Sequence, residues 1–130
     1  MTTSYSMFEL HSKEIQLVIT DYFNGIFYGD IEKLKSVFHS QALLFGDING
    51  QPYFKTLAEY LEGVRGRKSP NELNEEFNMK ILSIEILNHI AYAKLHCPML
   101  GYNYYDYLSL NKIGERWAIV NKVFTHIGKD

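Results

Sequence analysis

From Ile15 onward, apolar side chains recur at Ile15, Val18, Ile19, Tyr22 and Ile26, while Gln16, Thr20 and Asn24 fall away from that face. This spacing predicts an amphipathic helix of about four turns, with Ser12 placed to cap its start and Gly29 to end it in a left-handed conformation. Asp30 caps a short second helix that carries the stripe through Ile31, Leu34, Val37 and Phe38. Ala42 to Phe45 reads as a brief buried strand, followed by a turn at Asp47-Ile48-Asn49-Gly50, in which Asn-Gly is a strong hairpin dipeptide. Thr56 and Glu59 form a capping box ahead of Leu57, Tyr60, Leu61 and Val64, the inner face of a third helix closed by Gly66. Polar residues from Arg67 to Asn74 then form a loop.

Beyond that loop the period changes from helical to alternating. Turn signals at Asn88-His89, Gly101 and Gly114-Glu115 divide Glu76 to Ile127 into four long strands, which must run antiparallel because the connections are tight. In the last strand Trp117, Ile119, Asn121, Val123 and Thr125 share one face and Ala118, Val120, Lys122, Phe124 and His126 the other. Neither face is polar enough for water alone. One is expected to pack on the helices; the other, with Tyr92, Tyr105 and Tyr107, is expected to form a homodimer interface. The reading is a single α+β domain over residues 1–130, with an ordered core from about 12 to 127, in which helices cover a strongly curved sheet.

Composition narrows the function. A chain of 130 residues with 46% hydrophobic and 15% aromatic side chains can bury a core without staples. The net charge of -2, with no basic stretch beyond Arg65-Gly66-Arg67-Lys68, argues against nucleic acid as a partner. No run resembles a secretory signal or a membrane span, and the single Cys97 has no partner for a disulfide, so a cytoplasmic location is expected. Cys97 reads as a small buried apolar residue. The histidines, His11, His39, His89, His96 and His126, lack ligand spacing, so no metal or cofactor is expected and most should lie at the surface or an interface.

The element order, with the C-terminal run from Asp106 to Phe124, resembles the nuclear transport factor two-like superfamily. Within it the chain is similar to the ketosteroid isomerase and SnoaL-like polyketide cyclase branch, and to a bacterial subfamily labelled putative lumazine-binding. The resemblance extends from about Glu14 to Thr125. It implies a cone-shaped fold of three N-terminal helices on a curved, mixed but mainly antiparallel sheet. It also implies site positions. Tyr22, seven residues before Gly29-Asp30, matches an oxyanion-hole tyrosine; the alternative is a core tyrosine bonded to a carbonyl or water. Asp106, eight residues before Gly114, matches a protonated aspartic acid that serves as second oxyanion donor, a carboxyl the isomerases themselves exemplify; the alternative is an exposed strand residue. The isomerases carry their general base sixteen residues past the Asp of Gly-Asp, and that position here is Gly46. Asp47 stands one residue late and by alternation should face the other way. Asn121 lies near the place where epoxide hydrolases of the superfamily carry an acid.

These residues lead to a small-molecule-binding domain whose apolar pocket is lined by Tyr22, Tyr104, Asp106, Trp117 and Asn121, for a planar or largely apolar metabolite. The alternatives are an enzyme of isomerase, dehydratase or cyclase type, with Tyr22 and Asp106 as oxyanion donors and Asp47 as base, and a structural or dimerisation module. Under the binding reading, Asp106→Ala should alter affinity more than stability.

Overall fold

A computed structural model describes residues 6–128. The first helix, α1, runs Met7–Tyr28 and α2 runs Ile31–Val37. They are followed by β1 (Phe38–Ile48), β2 (Gln51–Thr56), α3 (Leu57–Gly66), β3 (Lys80–Leu87), β4 (Ile90–Met99), β5 (Tyr102–Ile113) and β6 (Arg116–Ile127). The predicted α+β architecture is observed: three helices lie against a curved sheet of order β2-β1-β6-β5-β4-β3. Every neighbouring pair is antiparallel except β1 and β6, which are parallel. No helix among the described residues is long and apolar enough to cross a membrane.

Local signals explain most boundaries. Gly29 ends α1 at φ 65° and donates its N–H to the Gly25 carbonyl; Asp30 caps α2 by accepting from the Lys33 N–H. The Thr56–Glu59 capping box is complete. Asn49 and Gly50, at φ 53° and 79°, turn the β1–β2 hairpin, and its tip is tied to the ends of β5 and β6. There the Asn49 N–H donates to His126 Nε2 at 2.8 Å and Asn49 Nδ2 to the Tyr102 hydroxyl at 3.0 Å.

Two expectations are corrected. The first helix starts at Met7, capped by Ser6; Ser12 lies inside it, where its hydroxyl accepts from Gln16 Nε2. The strand expected at Ala42 to Phe45 is the centre of an eleven-residue strand, because it gains partners on both edges, β2 and β6.

The decisive departure is in β6. Leu110 pairs with Ile119 but Ser109 pairs with Asn121, so Val120 is an extra residue opposite no partner, a β-bulge. Strict alternation would keep Trp117, Ile119 and Asn121 on one face. The bulge advances the phase by one: Trp117 and Ile119 are buried, and so are Lys122 and Phe124, whereas Val123 is exposed.

Candidate functional site

At the end of the sheet away from the Arg116 turn, residues of five strands and one helix surround a small cavity. Beta-strand β5 contributes Tyr104 and Asp106, β6 contributes Lys122 and Phe124, and β4 contributes Cys97 and Met99. Tyr60 reaches in from α3, Arg67 follows that helix directly, and Ile48 and Tyr53 of the β1–β2 hairpin form the remaining wall. The room left for the centre of a water-sized sphere is about 50 Å³. One water needs roughly 10–15 Å³ on that measure, so the cavity takes a few waters or one compact chemical group.

The floor is polar and buried. The Tyr22 hydroxyl, from the middle of α1, donates to Asp106 Oδ2 at 2.7 Å across 84 residues of chain. The same oxygen lies 3.6 Å from Cys97 Sγ and 3.8 Å from Lys122 Nζ. None of the four residues is more than 5% exposed. The Lys122 ammonium also sits over three rings, 5.0 Å from the centroid of Tyr60, 5.2 Å from Phe124 and 5.3 Å from Tyr22. Desolvated cation–π contacts contribute on the order of 2 kcal/mol, which helps to hold a charge that burial alone would penalise.

Protonation follows from this arrangement. Burial, then the Asp106 charge, pushes the Tyr22 phenol well above its ordinary range, so at neutral pH it is a neutral donor. The same two causes raise the Cys97 thiol, which is therefore an inert thiol rather than a nucleophile. Burial by itself would lower Lys122; Asp106, Tyr60 and Cys97 overcome it, and the amine is held above its usual value and stays charged. Burial likewise raises the phenols of Tyr53 and Tyr104, which line the mouth.

The structure brings together some of the residues expected from sequence and separates others. Tyr22 and Asp106 meet, but directly: the Tyr22 hydroxyl, behind Asp106, donates its hydrogen bond to the carboxylate, so the phenol is not aimed at a ligand. Asp106 is neither exposed nor a lone acid in apolar surroundings, since it accepts from Tyr22 and pairs with Lys122. Neither therefore has the geometry of an oxyanion donor. Tyr104 lines the cavity, edge-on to Phe124 with centroids 5.7 Å apart.

Trp117 and Asn121 do not line the cavity. Trp117 is a buried core residue five positions up β6, roughly 16 Å away along the strand, packed edge-on to His11 at 5.2 Å. That histidine, one of five of which most were expected at a surface or interface, is itself only 3% exposed. Asn121 is carried to the outer face by the bulge, where its Nδ2 donates to the Leu43 carbonyl at 3.2 Å. Asp47 is also outside, accepting from the Thr125 hydroxyl at 2.7 Å. At Gly46 a Cβ would lie 2.5 Å from the Phe124 carbonyl oxygen and 2.6 Å from its ring, so Phe124 occupies the space that a carboxylate would need.

Sequence reasoning missed Lys122, Tyr60, Arg67, Tyr53 and Phe124. One signal for Lys122 was available: an aspartate among Tyr102, Tyr104, Tyr105, Tyr107 and Leu108 needs a cation, and the adjacent strand offers Lys122. Among the described residues no group of three or more His, Cys, Asp or Glu is arranged to hold a metal ion.

Comparison with known proteins agrees with this architecture. An NTF2-like protein of unknown function from Shewanella baltica OS155 superposes with a TM-score of 0.81 at 21% identity, covering 98% of this chain and 100% of that one. One from Silicibacter pomeroyi DSS-3 gives 0.79 at 17% identity, covering 94% and 100%. A third, from Methylobacillus flagellatus KT, gives 0.75 at 23% identity, covering 98% and 99%. No curated protein matches the sequence. The sequence model of the family described as "Putative lumazine-binding" matches residues 11–125, nearly the whole of the folded chain. This match over nearly the whole folded chain shows that the chain belongs to the Putative lumazine-binding family, with a fold similar to that of the NTF2-like proteins.

Proposed function

We propose that this chain binds a small planar molecule at the mouth of the cone, with a polar substituent in the cavity and a flat body against Tyr53, Tyr104 and Phe124. The observation that carries this reading is the concentration of Asp106, Lys122 and Arg67 beneath aromatic walls in a space sized for one compact group. Buried polar clusters of this kind cost folding stability, and a core of the same volume would be filled more cheaply by leucine. The family description supplies the first probe, lumazine. The catalytic alternative is the weaker one, because Gly46 is backed by Phe124 and Asp47 points to the outer face.

Titration of the labelled protein with lumazine, followed by amide and tyrosine NMR shifts, tests the reading. Saturable shifts confined to the mouth are expected, weakened about tenfold by Tyr104→Ala, since losing one stacking ring removes about 1–3 kcal/mol by analogy with other base–aromatic contacts. Shifts scattered over the surface, or undiminished in the variant, would remove the mouth as a site.

A further inference from the structure

The charges facing the cavity do not balance. Lys122 and Arg67 are cationic, Asp106 is the one carboxylate among the lining residues, and its Oδ2 is already engaged by Tyr22 and Lys122. Two further donors converge there without partners. Arg67 Nη2 and the Tyr60 hydroxyl are shielded from solvent, and neither has a hydrogen-bond partner among the described residues. The guanidinium of Arg67 acts electrostatically on Lys122, Tyr53 and Tyr104, which fixes its charge beside the cavity rather than out on the loop. The short basic run is thus divided: Arg65 pairs with Glu62 on the helix surface, and Arg67 turns inward.

Unpartnered buried donors are uncommon because each carries a desolvation cost, larger when the group is charged. Here three kinds of donor, an ammonium, a guanidinium and a phenol, face one space of about 50 Å³ with an excess of one positive charge. An ammonium has three N–H bonds, and the contact with Asp106 leaves others to give. Such a site complements a small acceptor bearing one negative charge. A carboxylate fits by charge, by size and by its planar pair of oxygens, which suits a guanidinium.

We infer that the ligand of this cavity carries a carboxylate, which enters first and accepts from Arg67, Tyr60 and Lys122 while the rest of the molecule stays at the aromatic mouth. This rests on the binding reading above and specifies the chemistry of its ligand. Benzoate and its neutral isostere benzamide serve as probes, titrated in parallel by calorimetry and by NMR against the full chain. Benzoate is expected to bind at least about tenfold more tightly than benzamide, the increment of one charge-assisted hydrogen bond. In Arg67→Gln that ratio should fall toward one, with an unchanged melting temperature, because Arg67 Nη2 has no hydrogen-bond partner among the described residues to lose. Equal affinities for the two probes in the wild-type protein would overturn the carboxylate without requiring any variant, and lumazine or benzamide bound at the mouth would then leave the binding reading standing. A benzoate preference undiminished in Arg67→Gln would overturn the assignment of the carboxylate to these donors. Absence of binding by all three probes would overturn both readings together.

Discussion

Raising the pH is a direct probe of the polar floor, because three buried groups around Asp106 hold their protons more tightly in the folded chain than in the unfolded one. Burial first, and the Asp106 charge second, lift Cys97 well above 9.0 and Tyr22 well above 10.0. Burial alone would lower Lys122, but Asp106, Tyr60 and Cys97 raise it above 10.5. In each case the unfolded chain releases its proton first, so the native state binds more protons over the interval between the two values, and stability falls as pH rises. The contribution is present in full below the unfolded value and is lost as pH climbs to the folded one. Each group costs on the order of 1 kcal/mol per pH unit within its interval. The decline should begin near pH 9 with Cys97, steepen above 10 with Tyr22 and steepen again above 10.5 with Lys122. The losses add where the intervals overlap, and they are set against the roughly 5–15 kcal/mol typical of a domain. Urea unfolding followed by circular dichroism from pH 7.5 to 11, under reductant, measures it. Cys97→Ala isolates the first step: the variant begins lower through lost packing, yet should lose on the order of 1 kcal/mol less between pH 9 and 10. Parallel curves over that interval would refute the placement of a protonated thiol beside Asp106.

Two further outcomes follow from the same geometry. Asp106→Asn keeps an acceptor for Tyr22 but leaves the Lys122 ammonium without its counter-charge, so it should destabilise the fold by about 3–5 kcal/mol in urea at pH 7; a loss below about 1 kcal/mol would mean that Lys122 reaches water. The outer sheet face, with Tyr107 and Val123 about half exposed beside Phe45 and Phe54, is proposed to join two copies of the chain. Light scattering at micromolar concentration should give twice the chain mass, reduced to one by Tyr107→Glu; a monomeric mass for the wild-type protein would exclude the dimer.

The fold was legible because its signals are local. Asp30, Thr56–Glu59 and Asn49-Gly50 act within a few residues of themselves, and the pairing of β4 with β5 is regular enough to read directly from alternation. The parallel pairing of β1 with β6 was not legible from those signals, since it joins segments about 80 residues apart. The meeting of Tyr22 and Asp106 followed from the family's spacing. Their roles did not, because a hydrogen bond between them and an ion pair with Lys122 depend on which face of β6 turns inward. That face was assigned by unbroken alternation, and one unpaired residue, Val120, exchanged Asn121 for Lys122. The same exchange alters the expected effect of Asp106→Ala: the carboxylate compensates a buried charge, so its loss should weaken folding as well as binding.

The extra residue in β6 also pins the strand in place. A strand of uniform period can slide two positions along its neighbours and still present apolar side chains inward. Here Trp117 and Ile119 belong to one phase and Lys122 and Phe124 to the opposite one, so any slip that suits one half turns polar or bulky groups of the other against the wrong layer. The discontinuity that puts a lysine beneath the mouth thereby leaves the sheet a single alignment in which to close.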